Sequence, residues 1–416
     1  MSQPSDSPNP IRREEDEAPM VLPARYGRSR PAAPPPRREY APPPRSVGGL
    51  GRVLLILFLF ASLGVNFLLV ILLFASFSGE SSEDGVPVNE KVWSGPSSAR
   101  NKVAVVRVEG VLMDELMGYP RRQIDKAAKD KDVKAVVLQI KSPGGTITAS
   151  DDLHKRLTEM RDGTSPRYKS DAKPLVVSME AMAASGGYYI AMPGQYIFAE
   201  RTTTTGSIGV YASFPNVAEL ANKNGVHMEL IKAGGIKGSG SMFQTMTPQE
   251  RQPWQEMVNE AYGTFIKVVE EGRQQLKGKL TKDLVLKDTN GKERTEVDVY
   301  DDKGNKVEKE KAPYHRQLAD GGIFTVAQAK EFGLIDEIGY LEAACKYAAG
   351  RASLSEGDYK VVVYDKPVSF LSLLGADAKQ KDPFDFAKLA SVSTPRLWYM
   401  VPNSEISGIL STMANK

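Results

Sequence analysis

The sequence predicts an α/β protein, a mainly parallel sheet covered by helices, preceded by one apolar segment able to span a membrane. Three observations predict it. Apolar, valine-rich runs recur at 103–108, 133–140, 175–179 and 196–199. Helical segments such as 148–161, with apolar or small faces, lie between them, the alternation that parallel sheets require. Residues 53–77 carry no charge, and Asn66 is their one strongly polar side chain.

Taken in order, residues 1–52 form a proline-rich tail. It contains Pro34-Pro35-Pro36, Pro42-Pro43-Pro44 and the acidic cluster Glu14-Glu15-Asp16-Glu17. Such a composition buries too little apolar surface to fold, so a disordered tail is expected. The span 53–77 follows. About 20 apolar residues cross a bilayer, and this run is longer and further from the N-terminus than the core of a cleaved signal peptide. Arg37, Arg38, Arg45 and Arg52 precede it, whereas Glu80, Glu83, Asp84 and Glu90 follow it. The basic flank stays in the cytoplasm. A single-pass protein of an inner membrane is expected, with a cytoplasmic N-terminus and the remaining chain on the periplasmic or extracytoplasmic side.

Residues 78–100 read as a polar linker and 101–350 as one globular domain. Within it, 248–276 reads as a long amphipathic helix or helix pair. The Lys-, Asp- and Glu-rich stretch 277–312 reads as an exposed hairpin insertion, with turns at Asn290-Gly291 and Lys303-Gly304-Asn305 and an alternating strand at 297–300. Residues 324–339 return to an αβ pattern. Residues 351–416 read as a C-terminal extension, irregular over 366–395. Its segment Arg396-Leu397-Trp398-Tyr399-Met400-Val401 is apolar enough to dock on the core. No internal repeat is evident.

The 416 residues carry a net charge of +3, which gives no electrostatic preference for nucleic acid. A single cysteine, Cys345, excludes an intrachain disulfide. No His/Cys cluster has metal-ligand spacing, and nothing calls for a metal or another cofactor.

Chemistry concentrates in three short segments. In Ala183-Ala184-Ser185-Gly186-Gly187-Tyr188-Tyr189, a serine stands among small residues at a strand-to-helix junction, where a nucleophile can be presented with little bulk around it. The same triplet also suits a packing corner. Gly186 leaves its N–H free to meet a substrate oxygen. In Lys141-Ser142-Pro143-Gly144-Gly145, a loop after the second strand exposes further N–H groups. A serine nucleophile needs a base. His154, His227 and His315 are the available imidazoles, and none sits in a conspicuous turn. Lysine is the alternative base, and Lys237 lies in the glycine-rich run Lys232-Ala233-Gly234-Gly235-Ile236-Lys237-Gly238-Ser239-Gly240-Ser241. It would need desolvation: lowering a lysine pKa from about 10.4 to near 8 costs roughly 3 kcal/mol.

These segments occur in order with Thr205-Gly206-Ser207-Ile208-Gly209-Val210 and, later, Gln317-Leu318-Ala319-Asp320-Gly321-Gly322 and Phe332-Gly333-Leu334-Ile335-Asp336-Glu337-Ile338-Gly339. The chain thereby resembles the signal peptide peptidase A family, membrane-anchored serine proteases of the S49 type, over about 101–350. The resemblance implies a crotonase-like (ClpP/crotonase) superhelix and a Ser-Lys dyad. Ser185 would be the nucleophile and Lys237 the general base. Gly144 or Gly145, with Gly186, would form the oxyanion hole, and Ser207 would orient the lysine. It also implies a homo-oligomer whose active sites are shared between subunits, and substrates that are remnant signal peptides or similar apolar peptides. A protease for one specific membrane protein, a non-catalytic membrane scaffold and an acyl-CoA enzyme of the crotonase type are the alternatives. Two features depart from the family pattern: the small residues around Lys237 and the 277–312 insertion.

Overall fold

Alternate residues of a strand point to opposite faces of its sheet, so a strand apolar on both faces belongs between two layers. The pairs Val103/Val105 and Ala104/Val106 meet this condition. The computed structural model describes residues 49–77, 88–287, 291–300, 306–365 and 397–400. The chain divides into two units, Met1–Phe77 and Ser78–Lys416.

In the first unit, α1 (Gly49–Phe77) takes in the whole apolar run. The described side chains on it, those of 53–67, are exposed, Phe58 at 78%. Asn66 satisfies its amide inside the helix, donating from Nδ2 to the Ser62 carbonyl at 2.7 Å. Among the residues whose side chains are described, no helix is long and apolar enough to cross a membrane. The tail up to residue 48 lies outside the described residues, as does 366–396.

In the second unit the elements run β1 (Asn89–Ser94), β2 (Asn101–Glu109), α2 (Gly118–Lys129), β3 (Val133–Ser142), β4 (Gly144–Thr146), α3 (Ile147–Asp162), β5 (Leu175–Ala184), α4 (Gly186–Tyr189), β6 (Tyr196–Ala199), β7 (Thr204–Gly206), β8 (Tyr211–Ala212), α5 (Ala218–Lys223), α6 (Pro248–Gly272), β9 (Glu296–Tyr300), β10 (Lys306–Pro313), β11 (Ile323–Thr325), α7 (Val326–Glu331), β12 (Glu337–Ile338), α8 (Leu341–Arg351), β13 (Tyr359–Asp365) and β14 (Leu397–Met400). The main sheet has the order β1-β13-β2-β3-β5-β6-β12. The second half of β5 leaves β6 and pairs with β7, which carries β11 on its far side. Only β1–β13 and β11–β7 are antiparallel in it. This is the mainly parallel α/β sheet that the sequence predicts.

The two faces of the sheet bury separate clusters. Ala104, Val106, Val136, Leu138, Val177 and Met179 pack with residues of α2, α3, α4 and α6. Val103, Val105, Ala135, Val137 and Val176 pack against α8 and β13. Helix ends are set by sequence. Thr146 caps α3, accepting from the Ala149 N–H, and Gly163 ends it at φ 67°. Thr247 and Glu250 form a reciprocal capping box at the start of α6.

Three expectations change. The linker reading of 78–100 fails at Asn89–Ser94, which pairs with β13 at the sheet edge. Its side chains are mostly exposed, so no apolar alternation marked it. The 351–416 extension is likewise part of the sheet over Tyr359–Asp365, because β13 lies between β1 and β2. The insertion begins later than 277: Leu280 and Leu286 are buried. A hairpin does form beyond them, β9 against β10; its turn at 303–305 lies outside the described residues, as does Asn290.

Candidate active site

The apolar strand β5 ends at Ala184, and Ser185 follows at φ 54°, ψ −116°. A non-glycine residue at positive φ carries about 1–3 kcal/mol of strain and persists only where its surroundings enforce it. Here the Ser185 N–H donates to the Gly206 carbonyl at 2.7 Å, and the Ser185 carbonyl accepts from the Tyr189 N–H at 2.8 Å. The one-turn helix α4 is anchored by Tyr188 and Tyr189, whose hydroxyls donate to the Leu334 carbonyl and to Asp151 Oδ1. Gly187 is required by close approach, since a Cβ there would lie 2.8 Å from the Ser142 carbonyl oxygen. Ser185 is 1% exposed, and its Oγ has no hydrogen-bond partner among the described residues.

The β4 strand passes beside this turn. Gly144 stands at φ 103°, and a Cβ on it would collide with the Tyr399 carbonyl oxygen and come within 2.8 Å of the Gly186 nitrogen. The Gly144 N–H donates to Ser142 Oγ at 3.1 Å, so it is engaged. The Gly144 carbonyl and the Thr146 N–H both bond Leu112, at 2.9 and 2.7 Å. Peptide groups alternate direction along a strand, so the Gly145 N–H points the other way, toward β14, and its nitrogen lies 3.1 Å from where a Cβ on Gly186 would be. Between the two glycines offered as alternatives by the sequence, the geometry favours Gly145 as the donor beside Gly186. Gly186 opens α4, where backbone N–H groups lack helical partners.

Ser207 is buried beside this corner at φ 51°. Its Oγ donates to the Gly321 carbonyl at 3.0 Å, which leaves oxygen lone pairs to accept a further donor. Lys237 is not brought to Ser185. It lies exposed in the glycine-rich turn, its N–H bonded to the Gly234 carbonyl at 3.2 Å. Apolar side chains stand exposed around it, Ile231 at 92% and Ile236 at 48%. No histidine replaces it. His227 and His315 are exposed, while His154 packs edge-on against Tyr189 at 5.2 Å. Among the described residues, no group of three or more His, Cys, Asp or Glu is placed to hold a metal.

One part of the site escaped the sequence reading. The segment expected to dock on the core does so as β14, inserted between β4 and β8. Its apolar residues signalled burial but not location.

A model of peptidase family S49 matches residues 167–312. A protein of Synechocystis sp., named as a protease, is 30% identical over 292 residues, covering 69% of this chain and 88% of the relative. The chain belongs to peptidase family S49. Protease 4 of Haemophilus influenzae is 30% identical over 307 residues, 71% of this chain and 43% of that protein. An Enterococcus faecium protein named as a signal peptide peptidase, SppA, is 33% identical over 258 residues, 59% of this chain and 62% of that protein. The chain therefore spans less than two thirds of the length of the latter two relatives. The S49 match takes in the Ser185 turn and the Lys237 loop together.

Proposed function

We propose that this S49 chain is a membrane-anchored serine endopeptidase with a Ser-Lys dyad assembled between subunits. One observation carries the reading: Ser185 Oγ is buried in a strained turn without a partner among the described residues, while Lys237 lies exposed among apolar side chains. Apolar exposure of that kind marks an interaction surface. A neighbouring copy would bring its Lys237 to Ser185, and burial there would favour the neutral amine that a base requires.

In this mechanism Ser185 Oγ attacks the scissile carbonyl and its proton passes to Lys237 Nζ. The Gly145 and Gly186 N–H groups hold the oxyanion. The tetrahedral adduct collapses, the C–N bond breaks, and the leaving amine takes the proton from Lys237. Water then attacks the acyl ester, giving a proton to Lys237; the acyl C–Oγ bond breaks and Lys237 returns that proton to Ser185 Oγ, which restores both groups. Ser207 would accept a hydrogen bond from the lysine and aim it.

The wider assignment rests on sequence and resemblance. The crotonase-like superhelix is the form of α/β fold proposed. The exposed apolar side chains of α1 suit lipid contact, and the charge of its flanks orients it with the N-terminus cytoplasmic. The enzyme domain would then meet remnant signal peptides or similar apolar peptides outside the inner membrane. The deciding experiment mixes Ser185→Ala with Lys237→Ala protein before assembly. A shared site predicts recovery of part of the peptide hydrolysis that each variant alone lacks. Verified mixed oligomers with no recovery would contradict it.

A further inference from the structure

We propose that Ser239 and Trp254 are positioning residues for the general base: together they brace the loop that carries Lys237 onto the first turns of α6, and so fix where the amine is presented to the neighbouring subunit. The inference rests on the Ser-Lys reading given above.

The loop has little stiffness of its own. Four of the ten residues in 232–241 are glycines, the residue that loses most conformational freedom when a chain is ordered. Lys237 and the five residues before it are exposed, so core packing does not hold them. Successive turns shape the segment: the Lys237 N–H donates to the Gly234 carbonyl at 3.2 Å, the Ser239 N–H to the Ile236 carbonyl at 3.0 Å and the Ser241 N–H to the Gly238 carbonyl at 3.1 Å. These bonds are internal to the loop and do not tie it to the domain. A base that reaches its nucleophile across a subunit boundary takes its position from its own loop, and a misplacement of about 1 Å can lower the rate about a hundredfold.

The ties to the domain lie on both sides of Lys237 and converge on α6. Two residues after it, Ser239 Oγ accepts from Trp254 Nε1 at 2.7 Å and donates to the Glu250 carbonyl at 2.9 Å. The single hydroxyl proton is thereby committed to the helix. Five residues before it, Lys232 Nζ meets Glu250 Oε1 at 3.1 Å, while Glu250 Oε2 accepts from the Thr247 N–H at 3.0 Å within the capping box. Trp254 is itself held, its ring edge-on to Phe214 at 4.7 Å. At the far end of the loop the Met242 carbonyl accepts from the Val217 N–H at 2.7 Å.

The small residues around Lys237 acquire a role in this arrangement. A Cβ on Gly238 would lie 2.6 Å from Leu230 Cδ2, so glycine lets the chain turn inward directly after the lysine. Gly238 to Ser241 are half-buried, whereas Lys237 is exposed. The brace thus grips the loop beside the base and leaves the base itself outside, facing away from its own domain's packing.

The test uses the assembled full chain with Ser239→Ala, Ser239→Thr and Trp254→Phe, assayed on a fluorogenic apolar peptide. Trp254→Phe keeps a ring against Phe214 and removes the N–H donor. Ser239→Ala and Trp254→Phe should each lower kcat about ten- to a hundredfold with KM unchanged, since a misplaced base weakens the chemical step and not substrate binding. Ser239→Thr keeps the hydroxyl and should restore most of kcat. Amide hydrogen exchange over 232–241 should be faster in Ser239→Ala and Trp254→Phe than in the wild type, a readout that does not depend on catalysis. Mixing before assembly assigns the defect to one side of the dyad. Ser239→Ala mixed with Ser185→Ala should recover hydrolysis, because intact lysine loops then face intact serines, whereas Ser239→Ala mixed with Lys237→Ala should not. Unchanged kcat or unchanged exchange in both variants would overturn the proposal, as would a loss that Ser185→Ala fails to recover in verified mixed oligomers. Hydrolysis that survives Lys237→Ala would sink the dyad and this inference with it. Loss of hydrolysis in Lys237→Ala, with no change in the two brace variants, would sink this inference alone.

Discussion

The Ser185 N–H donates to the Gly206 carbonyl at 2.7 Å. This bond ties the strained serine to β7, and through it to β11. Gly206 itself stands at φ 83°, and a Cβ there would lie 2.7 Å from Phe324 Cδ2. Gly206→Ala should therefore shift the serine's anchor. We expect at least a tenfold loss of peptide hydrolysis, with a stability loss of about 1–3 kcal/mol from the enforced positive φ. Parallel measurement of activity and of urea unfolding separates the two effects.

The base assignment makes a second prediction. Lys237→Ala should reduce hydrolysis to the level of Ser185→Ala, whereas His227→Ala should leave it intact, since His227 is exposed and makes no hydrogen bond to Ser185 Oγ among the described residues. Hydrolysis that survives Lys237→Ala and disappears with a histidine substitution would replace the dyad by a histidine mechanism.

Arg273 makes a third. Its guanidinium is buried at the end of α6 and grips Asp336 with two bonds, at 2.7 and 2.9 Å, while also donating to the Gly333 carbonyl. Asp336 Oδ2 in turn accepts from the Ile197 N–H at 2.8 Å, which pins the strand β6. Asp336→Ala strands a buried cation and should cost about 3–5 kcal/mol. The double variant Arg273→Met/Asp336→Leu should cost less than that single one, measured by chemical denaturation.

A fourth concerns pH. Burial holds the His154 imidazole below its ordinary value; Arg161 reinforces this, while Asp151 and Glu271 oppose it. As pH falls through about 6.5, the unfolded chain gains a proton that the folded chain resists. The stability associated with the neutral ring is complete above that pH and is lost below it. His154→Phe keeps an aromatic edge against Tyr189 and does not titrate. The fall in melting temperature from about pH 7.5 to about pH 5.5 should be smaller in the variant than in the wild type.

The lone thiol gives a fifth. Cys345 is buried on α8, and desolvation pushes its pKa up to about 12. It should resist a disulfide-exchange reagent in the native protein and react fully in denaturant.

Much of the fold was legible because burial on both faces leaves continuous apolar runs. The strands at 103–108, 133–140, 175–179 and 196–199 all form, and α3 and α6 fall within a few residues of their expected bounds. The edge strand Asn89–Ser94 was not legible, since an exposed edge needs no apolar alternation. The helix after Ser185 is a single turn; Ile190, Ala191 and Met192 are buried by the fold without continuing it.

The order of short motifs determined the family, and the small residues around Ser185 determined where a nucleophile could stand, because only they allow two backbones to meet so closely. Tertiary structure decided the rest. It engaged the Gly144 N–H with Ser142, left Lys237 exposed and without a hydrogen bond to Ser185, and placed the Tyr399 carbonyl against the glycine corner. Local sequence cannot specify such pairings: they join segments up to 255 positions apart, as Tyr399 and Gly144 are, and depend on which peptide groups a distant strand turns toward them.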